Sequence, residues 1–423
     1  METAILYLSG LLFFACCAAL AHTYAVYPLL MKWLSRGKEL PEDRFEDDEE
    51  FPEVAVLMAV YNEESVIEET LRSILQSDYP EGKLRVWIGS DGSTDRSHEI
   101  IESFQKDHPE LHLTIFGGRN GKIRIINELS IAAGKMLQDP ESAAFLLCDA
   151  NVTWGRSALR NLVRHFRRPE VGLVGAAIQD ASREHEGIGD EEEAYVGMEN
   201  TVKFAEGVLW GNMIGAFGAC YALRARLFVP VPEAYIVDDY FQTMACLESG
   251  HKAIVDLDAV CYEAVSTEIS EEFRRKKRIA TGNFQNLKHF WNYYLPWNGG
   301  PATTFAFWSH KGLRWTGPLL LAGALVSAFV LAAAGPWYCS LPLAGLLGSF
   351  AAAGFDLWMA RAVPGFHWKP IRFLRYFYAM NIALFLGMLA FLRGGQNSVW
   401  EPTKRVAGND GNALTEPEPA NER

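Results

Sequence analysis

Basic charge is in deficit along this chain of 423 residues, where 39 Lys and Arg stand against 52 Asp and Glu for a net charge of −13. A nucleic-acid partner needs a basic face, so none is expected. Cysteine is scarce as well. The seven present are odd in number, form no C-x-x-C pair, and several (Cys16, Cys17, Cys148) sit in apolar surroundings. They read as buried free thiols, with a reducing compartment around the soluble part. The most informative absence is local: residues 3–31, 315–355 and 376–392 contain no Asp, Glu, Lys or Arg. A bilayer-crossing helix needs about 20 mostly apolar residues, so these stretches predict one, two and one spans. Gly335-Pro336 and Pro342 mark the turn inside the second stretch. A cleaved signal peptide is not expected, because the first stretch is long, lacks a basic start and is followed by Lys32, Arg36 and Lys38.

Between the first and second spans lie roughly 280 polar residues, enough for a soluble domain. This segment is organised around Val86-Trp-Ile-Gly-Ser-Asp-Gly-Ser-Thr-Asp95, where an apolar run stops at two carboxylates separated by small turn-forming residues. The run suits a buried parallel strand, and the turn after it suits the start of a helix. Ligands of open α/β sheets bind at such strand ends. In isolation, a plain capping Asp would look the same.

The surrounding pattern repeats this arrangement. Strands are predicted over 53–60, 84–89, 111–116 and 143–148, with helices over 66–75, 97–106, 122–137 and 156–167, which argues for a parallel sheet with right-handed crossovers. The strand ending at Cys148 runs into Asp149-Ala-Asn151, and Val237-Asp238-Asp239-Tyr240 opens a later helix. Divalent cations that neutralise a nucleotide diphosphate take one or two carboxylates plus phosphate and water, a role that fits Asp149. An acidic linker, 39–50, is expected to be an exposed connection. Over 273–297, Ala280, Phe284, Leu287, Trp291 and Tyr294 make one apolar helical face beside the basic run 274–278, as in a helix lying at a membrane interface. Asp356, in the third span, lies near enough to Arg361 to reach lipid headgroups.

Taken together, these motifs resemble the membrane-embedded family 2 glycosyltransferases, the group of cellulose, hyaluronan, chitin and poly-N-acetylglucosamine synthases. Tyr61-Asn62-Glu63 and Asp91 to Asp95 resemble its base- and ribose-binding segments. Lys122 and Asn127 resemble the segment that holds the uridine and diphosphate side. Asp149-Ala-Asn151 stands where the family has Asp-x-Asp, and Gly218, Ala219 and Arg224 resemble the acceptor-side loop. Asp239 falls at the catalytic base, with Asp238 at its acidic neighbour. Arg275-Lys-Lys-Arg278-Ile279 replaces the usual Gln-x-x-Arg-Trp, which implies that Arg275 and Arg278 contact the nucleotide sugar, and Trp400-Glu-Pro-Thr-Lys-Arg405 resembles a tail motif of some synthases.

The resemblance implies an α/β fold of GT-A type, Rossmann-like and cytoplasmic, with flanking transmembrane helices and an interfacial helix. Its implied divisions are an anchor (1–31), the linker (32–51), a catalytic domain (52–270), an interfacial region (271–314), three C-terminal spans (315–392) and a polar tail (393–423). It implies an inverting transferase that uses a nucleotide-diphosphate sugar, usually UDP-linked, with Mg²⁺ or Mn²⁺ at Asp149 and Asn151. The product would be a growing β-linked surface polysaccharide; transfer of one sugar to a membrane lipid is the alternative, and a non-catalytic nucleotide sensor a third reading. Expected partners are the donor, a polysaccharide or lipid acceptor, membrane lipids and an accessory subunit. The expected location is a bacterial inner membrane.

Overall fold

Seven consecutive buried side chains, Val54–Val60, leave no face for water and form a strand covered on both sides. The computed structural model describes residues 2–181, 189–264, 269–363 and 368–394; the tail motif 400–405 lies outside them. Eight strands form one sheet: β1 (Val54–Val60), β2 (Leu84–Ser90), β3 (Leu111–Ile115), β4 (Ala144–Cys148), β5 (Val152–Trp154), β6 (Val171–Asp180), β7 (Cys220–Arg224) and β8 (Lys252–Glu263), in the order β3-β2-β1-β4-β7-β6-β8-β5. The first four in that order are parallel. The parallel sheet expected from those four strands is present, and beyond β4 the sheet becomes mixed, because β7 runs antiparallel to both β4 and β6. Returning strands of this kind bring a second set of loops to the carboxyl ends of the parallel ones.

The chain begins with α1 (Glu2–Ala21), a π-helical turn (His22–Val26) and α2 (Tyr27–Leu34), which together form one long helix. Within the domain follow α3 (Ile67–Leu75), α4 (Ser97–Gln105), α5 (Lys122–Gly134), α6 (Ala158–Arg164), α7 (Gly189–Trp210), α8 (Asp238–Glu248) and α9 (Ile269–His289). After these come α10 (Gly300–Phe307), a second π-helical turn (Trp308–Gly312), the short α11 (Leu313–Trp315), α12 (Gly317–Ala334), α13 (Leu341–Ala362) and α14 (Lys369–Leu392). One apolar cluster fills the sheet face under α3, α4 and α6, and another fills the opposite face under α5, α8 and α9. Four helical segments, at 3–34, 317–334, 337–362 and 369–392, are long and apolar enough to cross a membrane.

Two expectations change and a third is refined. The acidic linker is exposed along most of its length, as expected, but is anchored at Asp43: buried His165 sits with Nδ1 3.0 Å from Asp43 Oδ2 and Nε2 2.8 Å from Asp256 Oδ2, while Arg168 donates to Asp43 at 2.7 Å. Arg160 and Arg167 add contacts to Asp48 and to the Arg44 carbonyl. The helix predicted over 273–297 ends at His289, and Tyr294 turns inward to stack on Phe307. Glu272, Asn283, Gln285 and Asn286 are buried, so α9 is packed into the domain and not laid freely on lipid. Asp356 pairs with Arg375 of α14 at 2.9 Å and does not reach for headgroups beside Arg361.

Candidate active site

The carboxyl ends of β1, β2 and β4 lie side by side, and each continues directly into a predicted motif. Two of those motifs are stitched to each other. Asn62, one non-glycine residue with positive φ (52°), accepts from the Thr94 amide and donates its own amide to Ser93 Oγ. Asp95 accepts from the Glu64 and Ser97 amides at 3.0 Å each. Although burial works against its charge, these hydrogen bonds hold its carboxyl below the usual range. Asp95 is therefore a brace between two loops and the start of α4, not a free ligand for a ribose.

Asp91 is held in the same way. It is fully buried and accepts from Arg119 Nε (3.2 Å), the Asn120 amide and the Gly121 amide (3.1 Å). Its work is to fix the turn from which α5 starts, and that turn aims Lys122. Arg119 in turn lies over the ring of Tyr61, 3.3 Å from its centroid.

Lys122 Nζ stands 2.6 Å from Asp149 Oδ1 and 3.8 Å from Asp238 Oδ2. Burial disfavours its charge, yet Asp149, Asp238 and Asp239 outweigh that and keep the amine protonated well above the ordinary lysine value. Asp239 shows the converse. Burial and the neighbouring Asp238 push it up to about 6, against the opposing pull of Lys122, the Tyr240 amide and Lys203. Three carboxylates thus share one close ammonium.

The loop before β7 closes this cluster. Asp149 donates its amide to the Ala219 carbonyl at 3.1 Å, and a Cβ placed on Gly218 would lie 2.8 Å from Asp239 Oδ2. Only glycine lets that carboxylate approach the loop. Thr243 holds the same loop to α8, donating to the Asp239 carbonyl and accepting from the Ala216 amide. Beneath them, the buried Tyr221 hydroxyl has no partner among the described residues, and burial with Asp238, Asp239 and Asp149 keeps it protonated.

On the other side, α9 is fastened to the approach of α8 by Gln285 on Ile236 and Ala234, and by Asn286 on Val237. It carries Arg278, exposed to the cleft, whose charge feels burial and Arg275 on one hand and Asp149, Asp238 and Asp239 on the other. Arg275 is occupied by Glu272, 3.5 Å away, so its expected donor contact is secondary to an ion pair within α9.

Two expected residues fall away from the cluster. Arg224 pairs with Ala144 at the opposite end of the central strands and gives its guanidinium to the carbonyls of Val171 (2.8 Å), Phe166 and Arg168. It is a structural clamp with no place at the acceptor side. Asn127 exchanges hydrogen bonds with the Val231 backbone, at 2.8 and 3.1 Å, and so holds the segment leading to α8. Asn151 gives its amide to Glu263 Oε1 at 3.3 Å.

The sequence predicts a helix over 191–210, which is α7, but assigns its charged residues no role. Its Glu199 and Glu206 flank His310, whose ring nitrogens lie 3.0 and 2.8 Å from their carboxylates, and Tyr27 of the first span donates to Glu206 at 2.9 Å. Lys203, buried between them and Asp239, is pushed down to about 7 by burial and Lys311. The only signal was Glu, Lys and Glu at helical spacing in 199–206.

Among the described residues, no three or more Asp, Glu, His or Cys side chains are grouped to hold a metal ion. The donor set still suits a cation bound largely through phosphate and water, since Asp149 is 35% exposed at the cleft and the cluster carries excess negative charge.

A mixed sheet with this carboxylate cluster at its parallel strand ends is the architecture of a GT-A glycosyltransferase. Residues 13–339 match the model described as glycosyl transferase family 21, and the chain belongs to that family. It is 28% identical over 320 residues to a beta-monoglucosyldiacylglycerol synthase of Synechocystis sp., covering 73% of this chain and 62% of that one. It is 34% identical over 162 residues to a poly-beta-1,6-N-acetyl-D-glucosamine synthase of Staphylococcus epidermidis, covering 35% of this chain and 37% of the relative. The chain spans less than two thirds of the length of these relatives. A mannosyltransferase from Pyrobaculum calidifontis, solved in complex with GDP-Man and Mn²⁺, superposes with a TM-score of 0.65 at 25% identity, over 91% of this chain and 100% of that one. The family 2 resemblance and the fold class expected from sequence agree with these relatives.

Proposed function

We propose that the protein is an inverting membrane glycosyltransferase that moves a sugar from a nucleotide-diphosphate donor onto the hydroxyl of a membrane lipid. The observation that carries the chemistry is the Lys122, Asp149, Asp238, Asp239 cluster. Asp239, at about 6, is a stronger base than an ordinary carboxylate and is still ionised at neutral pH. It takes the acceptor proton as that oxygen bonds to the anomeric carbon, while the bond to the diphosphate breaks and its electron pair leaves with the phosphate. Lys122 and Arg278 meet the charge that develops there. A divalent cation, Mg²⁺ or Mn²⁺, held by Asp149 with the diphosphate would neutralise the same leaving group.

The lipid acceptor is favoured over the polysaccharide by the extent of likeness, which reaches 73% of this chain for the glucolipid synthase and 35% for the polymer synthase. Arg275 and Ile279, in place of Gln and Trp, support the same choice. The catalytic domain then faces the cytoplasm, the source of nucleotide sugars, and the spans hold it in the plasma membrane.

The test is nucleotide release by detergent-solubilised protein with Mg²⁺ or Mn²⁺ and UDP-glucose, UDP-N-acetylglucosamine, UDP-galactose, UDP-glucuronate or GDP-mannose. Diacylglycerol or a β-linked oligosaccharide serves as acceptor, beside Asp239→Asn. Diacylglycerol-dependent release with a single-sugar lipid product, lost in Asp239→Asn, supports the proposal. A long carbohydrate product supports the polymer reading, and donor binding without turnover supports the sensor.

A further inference from the structure

The helix α14 is long and apolar enough to cross a bilayer, but its contacts run along the catalytic domain. Tyr376, near its start, donates to Glu192 Oε2 of α7 at 2.5 Å, and Glu192 also holds Lys276 of α9 at 3.2 Å. Tyr376 and Met380 pack with Ile269 and Phe273 at the start of α9. Two turns on, Thr281 Oγ1 donates to the Gly387 carbonyl at 3.2 Å, and a Cβ on Gly387 would come within 2.5 Å of the Ala280 methyl. Near its end, Phe391 stacks on Phe284, with ring centroids 6.1 Å apart, and with Met388 joins the apolar cluster under α5 and α8. Positions 376, 380, 383, 387 and 391 are spaced four, three, four and four apart, one continuous stripe seated on α9. That seam covers about 22 Å of helix at 1.5 Å per residue.

A helix crossing a hydrocarbon core of about 30 Å cannot keep both of its ends on a domain that lies on one side of it. The meeting points with the spans agree. Asn381 Oδ1 lies 2.8 Å from where a Cβ on Gly317 would be, and Gly317 is the first residue of α12, the end next to the domain. Phe377 meets Tyr24, late in the first span, at 5.3 Å between centroids. The helix thus passes the first span and α12 at their domain-proximal ends, and it crosses α13 at Asp356, paired with Arg375 at 2.9 Å, and at Ser349, 2.6 Å from the Tyr378 hydroxyl. Its opposite face exposes Ile382, Phe385 and Leu392, and α13 exposes Phe350 and Trp358. Three further basic groups, Lys369, Arg372 and Arg393, stand at its two ends, as suits a helix at the headgroup level.

We propose that α14 does not cross the bilayer but lies in the leaflet facing the catalytic domain, with its Ile382, Phe385 and Leu392 face in lipid and both ends on the domain's side. The chain then crosses three times, and everything after residue 394 starts on the catalytic side. Because α9 carries Arg278 over the carboxylate cluster, α14 is the layer between that helix and the lipid.

The test fuses the full-length chain at its C-terminus to green fluorescent protein or to alkaline phosphatase in a bacterial host. A fluorescent first fusion and an inactive second are expected; an active phosphatase with a dark fluorescent protein overturns the proposal. The independent readout is Arg393→Cys in a Cys339→Ser background, treated with a membrane-impermeant maleimide. Labelling only after permeabilisation is expected, and labelling of intact cells overturns the proposal, with native Cys339 between α12 and α13 as the externally labelled control. Neither readout needs turnover, so an inactive protein with a cytoplasmic C-terminus counts against the proposed function and leaves this topology standing.

Discussion

Lys122 Nζ and Asp149 Oδ1 are 2.6 Å apart, the closest ion pair in the cleft, joining the start of α5 to the end of β4. Removing the ammonium leaves three carboxylates facing one another. Lys122→Met should lower turnover by about 10²-fold, the usual scale for losing one preorganised charge. It should also move the acid limb of the pH–rate profile upward, because Lys122 holds the Asp239 pKa down. A profile unchanged in position would show that the two groups are not coupled.

Asp239 links activity and stability with opposite signs. Its folded value, about 6, lies above the ordinary 3.8, so the folded state keeps a proton that the unfolded chain loses in between. Stability contributed by that proton is complete below the lower value and is gone once pH rises through the upper one. At neutral pH the ionised group is a penalty of about 3 kcal/mol. Asp239→Asn should raise the melting temperature by a few degrees at neutral pH and not at pH 4, while abolishing transfer. In the unaltered protein the rate should fall tenfold per unit as pH drops below about 6.

Asp91→Ala tests the claim that this carboxylate positions and does not bind. Its three donors would be left buried, costing about 2–3 kcal/mol in chemical denaturation. Donor affinity should fall with it through displacement of Lys122, and adding Lys122→Met should then cost less than it does alone. Additive losses would place Asp91 in direct contact with the donor.

Arg224→Ala and Arg278→Ala should separate cleanly. The first strips three carbonyls of their donor at the far end of the central strands and should destabilise by about 2–4 kcal/mol with unchanged kcat in the folded fraction. The second should leave the melting temperature alone and raise the donor KM about tenfold, as for loss of a charge-assisted phosphate contact. A kcat loss in Arg224→Ala would return it to the acceptor side.

Gly218→Ala puts a methyl 2.8 Å from Asp239 Oδ2. Turnover should drop by about 10²-fold, the scale of a misplaced reacting group, with donor KM nearly unchanged. Loss of donor affinity instead would place the loop at the nucleotide.

Alternation of apolar runs with turn residues made the parallel half of the sheet and its helices legible, since β1 and β4 are buried on both faces and each ends in a motif. The mixed half was not, because β6 and β7 are apolar runs whose direction depends on what they pair with. Motif resemblance brought Asp149, Asp238, Asp239 and Lys122 to one cleft, yet it could not tell a ligand from a brace. Asp91, Asp95 and Asn127 have the right residue types and spend them on backbone amides and carbonyls. Hydropathy marked α14 as a span, and only its stripe on α9 shows what else those apolar side chains touch.

The Asp43, His165, Asp256 clamp bears on how an acceptor is chosen. With the segment after the first span strapped to β8 and to the turn after α6, the catalytic domain is tied to that span by more than a tether. For the lipid acceptor proposed above, the hydroxyl must then reach a cleft held at a fixed height, so the length of the headgroup becomes a criterion of selection alongside its chemistry.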